Sequence, residues 1–236
     1  MIIFYTTDIR NNLAILSDDE AQHCTQVLRK KIGDTVVVVD GSGGWHEGII
    51  QTFDKKNVVV TIQKTIPDYG KRNHRLHIGI APTKNIERFE WFLEKATEIG
   101  IDEITPLLCQ RSERTIIKLE RLQKILVSAM KQTLKAYLPQ LHPLTKFNNF
   151  VEESGRLQYT KLIGYLDENQ PQHIKNVYQS GKPALVLIGP EGDFTTQEIA
   201  FAKTHEFSGI SLGNSRLRTE TAGVVTCQAI NFINDK

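Results

Sequence analysis

The stretch ALVLIGPEGDF, residues 184–194, decides the fold of the second half of this chain. Its first five residues are apolar, as in a strand that is buried on both faces of a sheet. The strand breaks into Gly-Pro-Glu-Gly, where Gly189 and Gly192 permit backbone angles and close approaches denied to other residues. Thr195-x-x-Glu198 follows, a pattern typical of a helix N-terminus. The stretch therefore predicts a buried strand, a sharp turn and a capped helix.

The same alternation of strand and helix continues on both sides of this stretch. The predicted strands are LHIGIAP (76–82), DEITPLL (102–108), KLIGYLD (161–167), ALVLIGP (184–190) and GISLG (209–213). Apolar residues at helical spacing lie between and after them, in segments 89–99, 122–133 and 222–233. Apolar strands that alternate with helices predict an α/β domain whose parallel sheet is covered on both faces.

The first part of the chain has a different pattern, rich in β-branched residues. Its predicted strands are TVVVVD (35–40), WHEGIIQTF (45–53) and NVVVTIQK (57–64). One helix is predicted before them, from a capping box at Ser17-x-x-Glu20 to the basic residues 29–31 before Gly33. The polar, turn-rich segment PDYGKRNHR (67–75) marks a boundary. We therefore predict two domains, residues 1–72 and 73–236.

Composition limits the classes of protein that this chain can be. It has 236 residues, of which 40% are hydrophobic and 24% charged, with a net charge of +2. These values are typical of a soluble globular protein, and a nucleic-acid partner would need a local basic patch. The apolar runs are about five residues long, far below the roughly 20 of a membrane helix.

The predicted location is the cytoplasm. MIIFYTTDIR (1–10) has no basic leader and no cleavage-site pattern, so we expect no signal peptide. The three cysteines, Cys24, Cys109 and Cys227, are scattered and lack Cys-x-x-Cys spacing. Disulfides and a cysteine zinc site are therefore not expected, as in a reducing compartment.

A second unusual loop, LGNSRLRTETAG (212–223), follows the last predicted strand. Arg216 and Arg218 precede a helix start, which favours anions, and Glu220 is a candidate proton acceptor or arginine partner. Either loop alone could be a surface turn. Because the carboxyl ends of parallel strands meet at one edge of a sheet, the two loops together predict a ligand site, with YLDEN (165–169) as a third strand end. Neither G-x-x-x-x-G-K-[ST] nor G-x-G-x-x-G occurs, so a phosphate loop is not predicted.

These two loops resemble the C-terminal signature of SPOUT-superfamily RNA methyltransferases, and in particular the ribosomal small-subunit methyltransferase E (RsmE) family. The family motifs are GPEGG-(F) and LG-x-R-I-L-R-T-E-T-A. Further resemblances, in family order, are HCTQVLRKKIGD (23–34), KNIERFEWFLEKATEIGIDEITPL (84–107), RSERT (111–115) and AMKQTLKAYLP (129–139). Three positions depart from the pattern. Asp193 replaces a glycine, Ser215-Arg216 replaces Arg-Ile, and Lys135 replaces an arginine, which leaves the roles of Arg216 and Lys135 open.

The resemblance implies a fold, a cofactor and a substrate. The implied fold of the second domain is a SPOUT-type parallel sheet with a deep trefoil knot, an exception to the rule that proteins are unknotted. The implied first domain is an N-terminal PUA-like β-barrel that binds RNA. The implied cofactor is S-adenosylmethionine, and the implied product is N3-methyluridine in small-subunit (16S) ribosomal RNA, made by a homodimer. The cofactor residues assigned by the match are Leu166, Ile188, Gly189, Pro190, Glu191, Gly192, Leu212, Gly213, Leu217 and Arg218.

Catalytic residues are predicted from their place beside these loops, and RNA-binding residues from their basic side chains. We expect Arg218 to stabilise or position the target uridine, and Glu220 to orient Arg218 or accept the N3 proton. Arg218 could instead bind a phosphate. Basic residues suited to phosphate contacts, about half of which are expected to be merely solvated, are Arg10, Arg29, Lys30, Lys31, Lys84, Arg88 and Arg114.

No metal site is predicted. His74 and His77 are three positions apart on a strand, so their side chains should point to opposite faces, and we interpret them as linker and surface residues. Two alternative functions stay open. One is a non-catalytic RNA-binding protein, and the other is a related enzyme acting on another RNA, such as transfer RNA, or on a ribose 2′-hydroxyl.

Overall fold

A computed structural model describes residues 2–54, 56–166 and 171–235. The chain forms two compact units. The first comprises Met1–Lys71 and Val127–Leu138, and the second comprises Arg72–Leu126 and Pro139–Lys236. Each unit has its own sheet and its own hydrophobic core.

The first unit is built on a curled six-stranded sheet. Its strands are β1 (Ile3–Tyr5), β2 (Ile9–Arg10), β3 (Leu13–Ser17), β4 (Thr35–Val39), β5 (Trp45–Phe53) and β6 (Asn57–Ile66). They are arranged in the order β1-β4-β5-β6-β3-β2, and the β5–β6 pairing has two register irregularities of the kind that bend a sheet. Phe4, Leu16, Val38 and Ile50 are fully or almost fully buried in its core.

The segment 127–138 belongs to this first unit because its side chains complete a second small core. Met130 and Ala136 are buried against Ile3, Val39 and Trp45. The sequence patterns did not predict this assignment, since the residues lie far along the chain from the sheet that they cover.

The predicted capping box at Ser17 is wrong. Helix α1 covers only Asp18–Gln22, a π-helical turn follows over His23–Val27, and the Ser17 side chain makes no capping hydrogen bond. The Glu20 carboxylate instead accepts a hydrogen bond from the Tyr5 backbone N–H at 3.2 Å and pairs with Lys131. Tertiary partners have therefore displaced the local cap, and residues 29–31 lie beyond the helical turn.

The second unit has seven strands and most of the helices. Its strands are β7 (Leu76–Ile80), β8 (Glu103–Leu108), β9 (Gln140–Leu141), β10 (Thr145–Lys146), β11 (Thr160–Gly164), β12 (Ala184–Ile188) and β13 (Ser208–Ile210). Its helices are α2 (Ile86–Ile99), the first part of α3 (Leu119–Gln132), α4 (Phe147–Ser154), α5 (Ile174–Val177), α6 (Thr196–Thr204) and α7 (Thr219–Asn234).

The sheet of the second unit is parallel, as predicted. The strand order is β10-β8-β7-β12-β11-β13, with β9 paired to β8, and each of these pairings is parallel. The carboxyl ends of β11, β12 and β13 therefore lie side by side. The capping box of Thr195 and Glu198 is confirmed at the start of α6. The trefoil knot stays a prediction, and residues 167–169 of the third predicted strand end lie outside the described residues.

Helices cover both faces of this sheet. Helices α4 and α6 pack on the face that carries Leu185 and Leu187. Helices α2 and α7 pack together on the other face, where α7 contacts β7 and β12. The confirmed two-sided cover explains why the strands are apolar on both faces.

Gly223 permits the close contact between α7 and its neighbours. A Cβ atom at this position would lie 2.7 Å from ring carbons of Phe92 and 2.8 Å from Ile80 Cδ1. We therefore expect Gly223→Ala to lower the free energy of unfolding by about 1–3 kcal/mol, measured by denaturant titration. The exposed change Gln228→Ala in the same helix is the control, expected within about 0.5 kcal/mol of the parent. Equal stability of both variants would contradict this packing.

Candidate functional site

A cavity of about 290 Å³ opens at the carboxyl ends of β11, β12 and β13. The residues assigned by resemblance that line it are Leu166, Ile188, Gly189, Pro190, Glu191, Leu212, Gly213, Leu217 and Arg218. Two predicted residues, Gly192 and Glu220, do not line it. Sequence reasoning missed Tyr165, Ile210, Ser211 and Thr219, although each lies at a strand end or helix start that the patterns had located.

Two glycines give the cavity its main-chain walls. Gly213 has a φ of +119°, which disfavours any side chain, and a Cβ there would meet no protein atom within 4 Å. A Cβ on Gly189 would lie 3.1 Å from the Phe194 nitrogen. A side chain is thus disfavoured at both positions, at Gly213 by the backbone angle and at Gly189 by Phe194, and their part in binding a ligand stays a prediction.

Asp193 fixes the geometry of two cavity loops. Its φ of +60° lies in the left-handed region, which is where a glycine is readily accommodated. Its Oδ2 accepts a hydrogen bond from the Leu166 N–H at 3.0 Å, and Oδ1 accepts one from the Phe194 N–H at 2.7 Å. The carboxylate therefore joins the loop after β12 to the loop after β11.

Asp193→Gly tests this connection because glycine keeps the backbone angle and removes both side-chain hydrogen bonds. We expect the dissociation constant for S-adenosylmethionine, the cofactor that the resemblance implies, to rise about 3- to 10-fold, since a charge-assisted hydrogen bond contributes roughly 1 kcal/mol or more. Isothermal calorimetry measures the change. The control is Asp235→Gly, outside the cavity, for which we expect unchanged binding. Parental affinity in Asp193→Gly would show that the connection does not support binding.

Glu191 connects the same turn to the loop after β7. Its Oε1 accepts a hydrogen bond from the Lys84 N–H at 2.9 Å, while the side chain also lines the cavity. The N-terminus of α6 is capped by Thr195, so Glu191 is not needed as the cap. Its carboxylate thus braces the strand-to-helix turn.

The RSERT segment (111–115) is a further brace that local patterns could not show. Arg111 Nη1 donates to the Gly192 carbonyl oxygen at 2.7 Å. Arg114 donates to the carbonyl oxygens of Thr83 and Lys84, at 3.0 and 2.6 Å. The two guanidinium groups therefore hold the loops after β12 and β7. The Arg111 contact joins residues 81 positions apart, and the Arg114 contacts join residues about 30 positions apart. Local sequence patterns cannot predict contacts over such separations.

Arg218 and Glu220 lie at the start of α7 but in different environments. Arg218 is exposed at the N-cap position and lines the cavity. Glu220 is only 6% exposed, its Oε1 lies 4.0 Å from Arg88 Nε, and its buried Oε2 has no hydrogen-bond partner among the described residues. A buried carboxylate oxygen without a donor is costly unless a ligand supplies one.

The remaining basic candidates fall into two groups. Lys84, Arg88 and Arg114 lie together near the loop after β7; Lys84 pairs with Glu113 at 2.8 Å. Arg10, in the first unit, pairs with Asp8 at 2.8 Å. The other first-unit candidates are residues 29–31, of which 29 and 31 are exposed.

The interpretation of His77 as a surface residue is wrong. His77 is 5% exposed, its Nε2 lies 2.8 Å from the Thr105 hydroxyl, and its ring stacks on that of His142 at 5.3 Å. Glu103 is also adjacent, at 4.0 Å. Sheet pairing brings these residues together, which the spacing between His74 and His77 could not indicate.

Comparisons with known proteins agree with this architecture. A family model for an RNA methyltransferase domain matches residues 71–231, and one for an RNA methyltransferase PUA domain matches residues 16–63. A "Ribosomal RNA small subunit methyltransferase E" of Synechocystis sp. is 31% identical over 92% of this chain and 72% of its own length.

Two solved structures are similar along nearly the whole chain. The crystal structure of a probable rRNA-methyltransferase from Porphyromonas gingivalis is 40% identical, with a TM-score of 0.91, and covers 99% of this chain and 98% of its own. That of a ribosomal RNA small subunit methyltransferase E from Neisseria gonorrhoeae, bound to S-adenosyl methionine, is 25% identical with a TM-score of 0.85 and the same coverage.

Proposed function

This chain belongs to the ribosomal RNA small subunit methyltransferase E family, and we propose that it methylates N3 of a uridine in small-subunit (16S) ribosomal RNA. The observation that carries the proposal is the cavity at three strand ends, which combines main-chain walls with Arg218 on its surface. A buried carboxylate, Glu220, lies two residues further along the helix.

The cavity residues suit S-adenosylmethionine. The space beside Gly213 is open, and the loops at Gly189 and Leu212 present backbone to it, as recognition of an adenine edge requires. Apolar side chains of Ile188 and Leu217 would contact the purine and ribose. When bound, this cofactor supplies an activated methyl group. The Neisseria relative contains S-adenosyl methionine, which supports the same assignment here.

The chain's own residues then have to orient the uridine and deal with its N3 proton. Arg218, exposed at the cavity, is placed to contact the base and to stabilise negative charge that develops on it. Glu220 Oε2 needs a hydrogen-bond donor, and the N3–H of the target is one. In this scheme Glu220 accepts the proton. In the described part of the chain, the cation at ion-pair distance from Glu220 is Arg88. These contacts therefore do not support the alternative in which Glu220 orients Arg218.

We further propose that residues 1–72 bind RNA as a PUA-like domain and that residues 73–236 carry the knotted methyltransferase domain. The matched PUA domain model and the curled sheet support the first assignment.

We also propose a homodimer and a cytoplasmic location. Within the described ranges, no helix is both long and apolar enough to cross a membrane. Light scattering at micromolar concentration tests the dimer, and a monomeric mass would contradict it.

The basic segment 29–31 offers a direct test of RNA binding. We expect the triple change Arg29→Ala, Lys30→Ala, Lys31→Ala to weaken RNA binding. The slope of the logarithm of the binding constant against the logarithm of the salt concentration should become shallower by about one for each phosphate that is no longer neutralised. Fluorescence anisotropy over a salt series measures both. Cofactor affinity should be unchanged, and Lys64→Ala, which removes a lysine paired with Glu47, is the control. An unchanged slope would exclude this segment from the RNA surface.

Nucleoside mass spectrometry of ribosomal RNA from a deletion strain tests the reaction itself. We expect N3-methyluridine to be lost and to return when the parental gene is restored. Unchanged N3-methyluridine would contradict the proposal, and loss of a ribose-methylated or transfer-RNA nucleoside would identify the alternative enzyme. Calorimetry with S-adenosylmethionine separates the non-catalytic alternative, because an RNA-binding protein that had lost the cofactor site would show no binding.

A further inference from the structure

Three side chains of metal-ligating type meet at the opposite end of the second unit's sheet from the cavity. His77 is the second residue of β7, Glu103 is the first of β8, and the two are paired in register. His142 follows β9, which pairs with β8. One ligand atom from each residue lies within 4.8 Å of those of the other two. Because the cavity lies at the carboxyl ends of the strands, this cluster is separate from the proposed methyl-transfer site.

The distances in the cluster suit a small cation. Glu103 Oε2 lies 2.8 Å from His142 Nε2 and 4.0 Å from His77 Nδ1. Zinc–ligand bonds of about 2.0–2.2 Å place the ligand atoms of a tetrahedral site roughly 3.3 Å apart. The observed distances lie on either side of that value. Small side-chain shifts would therefore bring the three atoms around one ion.

Neighbouring groups already orient two of the three ligand atoms, those of His77 and Glu103. The Thr105 hydroxyl lies 2.8 Å from His77 Nε2, which leaves Nδ1 facing Glu103. Arg75 binds the other oxygen of the carboxylate, Glu103 Oε1, through Nε at 3.0 Å and Nη2 at 2.8 Å. Hydrogen bonds of this kind, on the outer atoms of histidine and carboxylate ligands, orient them in metal sites.

The cluster is open to solvent on one side. The His142 side chain is 27% exposed, which gives an ion and a water molecule access.

We infer that His77, Glu103 and His142 form a Zn²⁺ site, with water as the fourth ligand. Two imidazole nitrogens and one carboxylate oxygen are a donor set that zinc prefers. The ion would tie together β7, β8 and the segment after β9, since each ligand comes from a different segment. This inference does not depend on the proposed methyl transfer.

Metal analysis of the untagged full chain tests the inference. The protein is dialysed against excess zinc sulfate, then against metal-free buffer, and its zinc is measured by inductively coupled plasma mass spectrometry. We expect about one zinc per chain and, for His142→Gln, an affinity at least about 100-fold lower. His74→Gln, which changes a nearby histidine outside the cluster, is the matched control and should retain the metal.

Cobalt substitution gives a second readout on the parental protein, which needs no variant to fold. Three protein ligands and water around Co²⁺ should give the strong visible absorption of a tetrahedral centre, abolished by added Zn²⁺. Equal zinc content in the parental protein and a folded His142→Gln variant would overturn the inference, as would a parental protein that retains no zinc. The cluster would then be a metal-free hydrogen-bonded group in which Thr105 contacts His77 and Arg75 pairs with Glu103. Methylation by His142→Gln should be close to parental, which keeps this outcome distinct from failure of the proposed function.

Discussion

Arg218→Ala should lower the methylation rate at saturating S-adenosylmethionine by about 10²–10³-fold, the typical loss when one group that stabilises a developing negative charge is removed. Arg218 is the expected source of this effect because it is exposed at the cavity and caps the start of α7 through its backbone, not its side chain. The fold should therefore survive the change. Single-turnover kinetics on small-subunit RNA, with cofactor well above its dissociation constant, measures the rate.

Two controls distinguish a role in the reaction from general loss of positive charge. Arg156→Ala removes an exposed arginine beyond α4, away from the cavity, and should leave the rate unchanged. Arg218→Lys keeps the positive charge but loses the planar guanidinium group with its paired donors. A rate between those of Arg218→Ala and the parental protein would therefore indicate an electrostatic role. If Arg218 binds a phosphate instead, the RNA concentration for half-maximal rate should rise while the saturated rate stays parental. A parental rate under all conditions would remove Arg218 from the site.

Glu220→Gln should lower the saturated rate by about 10²–10⁴-fold, the range for loss of a general acid or base. The amide keeps the shape of the side chain but cannot accept the N3 proton. Stability should change little, because the buried Oε2 of the replaced carboxylate has no partner within the described ranges and Oε1 lies as far as 4.0 Å from Arg88. Loss of activity without loss of stability is what separates a functional carboxylate from a structural one.

The ion pair between Glu220 and Arg88 supplies the competing explanation for such a loss. If Glu220 acts only by holding Arg88, at 4.0 Å, then Arg88→Ala should reproduce the full defect. If Glu220 accepts the proton, the defect of Arg88→Ala should be much smaller. Glu87→Gln changes an exposed acid in the first turn of α2 and is the matched control. A parental rate for Glu220→Gln would exclude both roles.

Local sequence patterns predicted most of the second unit because its elements follow from short-range interactions. The apolar run 184–188, the turn at Gly189 and the capping box at Thr195 involve residues within a few positions of one another. Each can therefore be inferred from spacing alone. In open parallel sheets, ligands bind beyond the carboxyl ends of the strands, and this rule indicated the cavity loops without any knowledge of strand order.

Local patterns failed where a side chain takes a partner from a distant segment. Ser17 and Glu20 match a capping box, but Glu20 pairs with Lys131, which is 111 positions away, and no side-chain capping hydrogen bond forms at Ser17. The same applies to His77, whose neighbour Glu103 belongs to β8 and whose neighbour His142 follows β9. In each case the tertiary contact supplies a better partner than the local one.

The sequence by itself determined the α/β class of the second unit, its strand–turn–helix segments and the loops that line the cavity, because backbone propensity and hydrophobic periodicity act over a few residues. Only the tertiary structure decided how those loops are held. Asp193 reaches the Leu166 backbone, Arg111 reaches Gly192, and Glu191 reaches Lys84. Such contacts depend on which strands lie side by side and in which register, and these are set by the packing of the whole sheet and not by the spacing of residues within one segment.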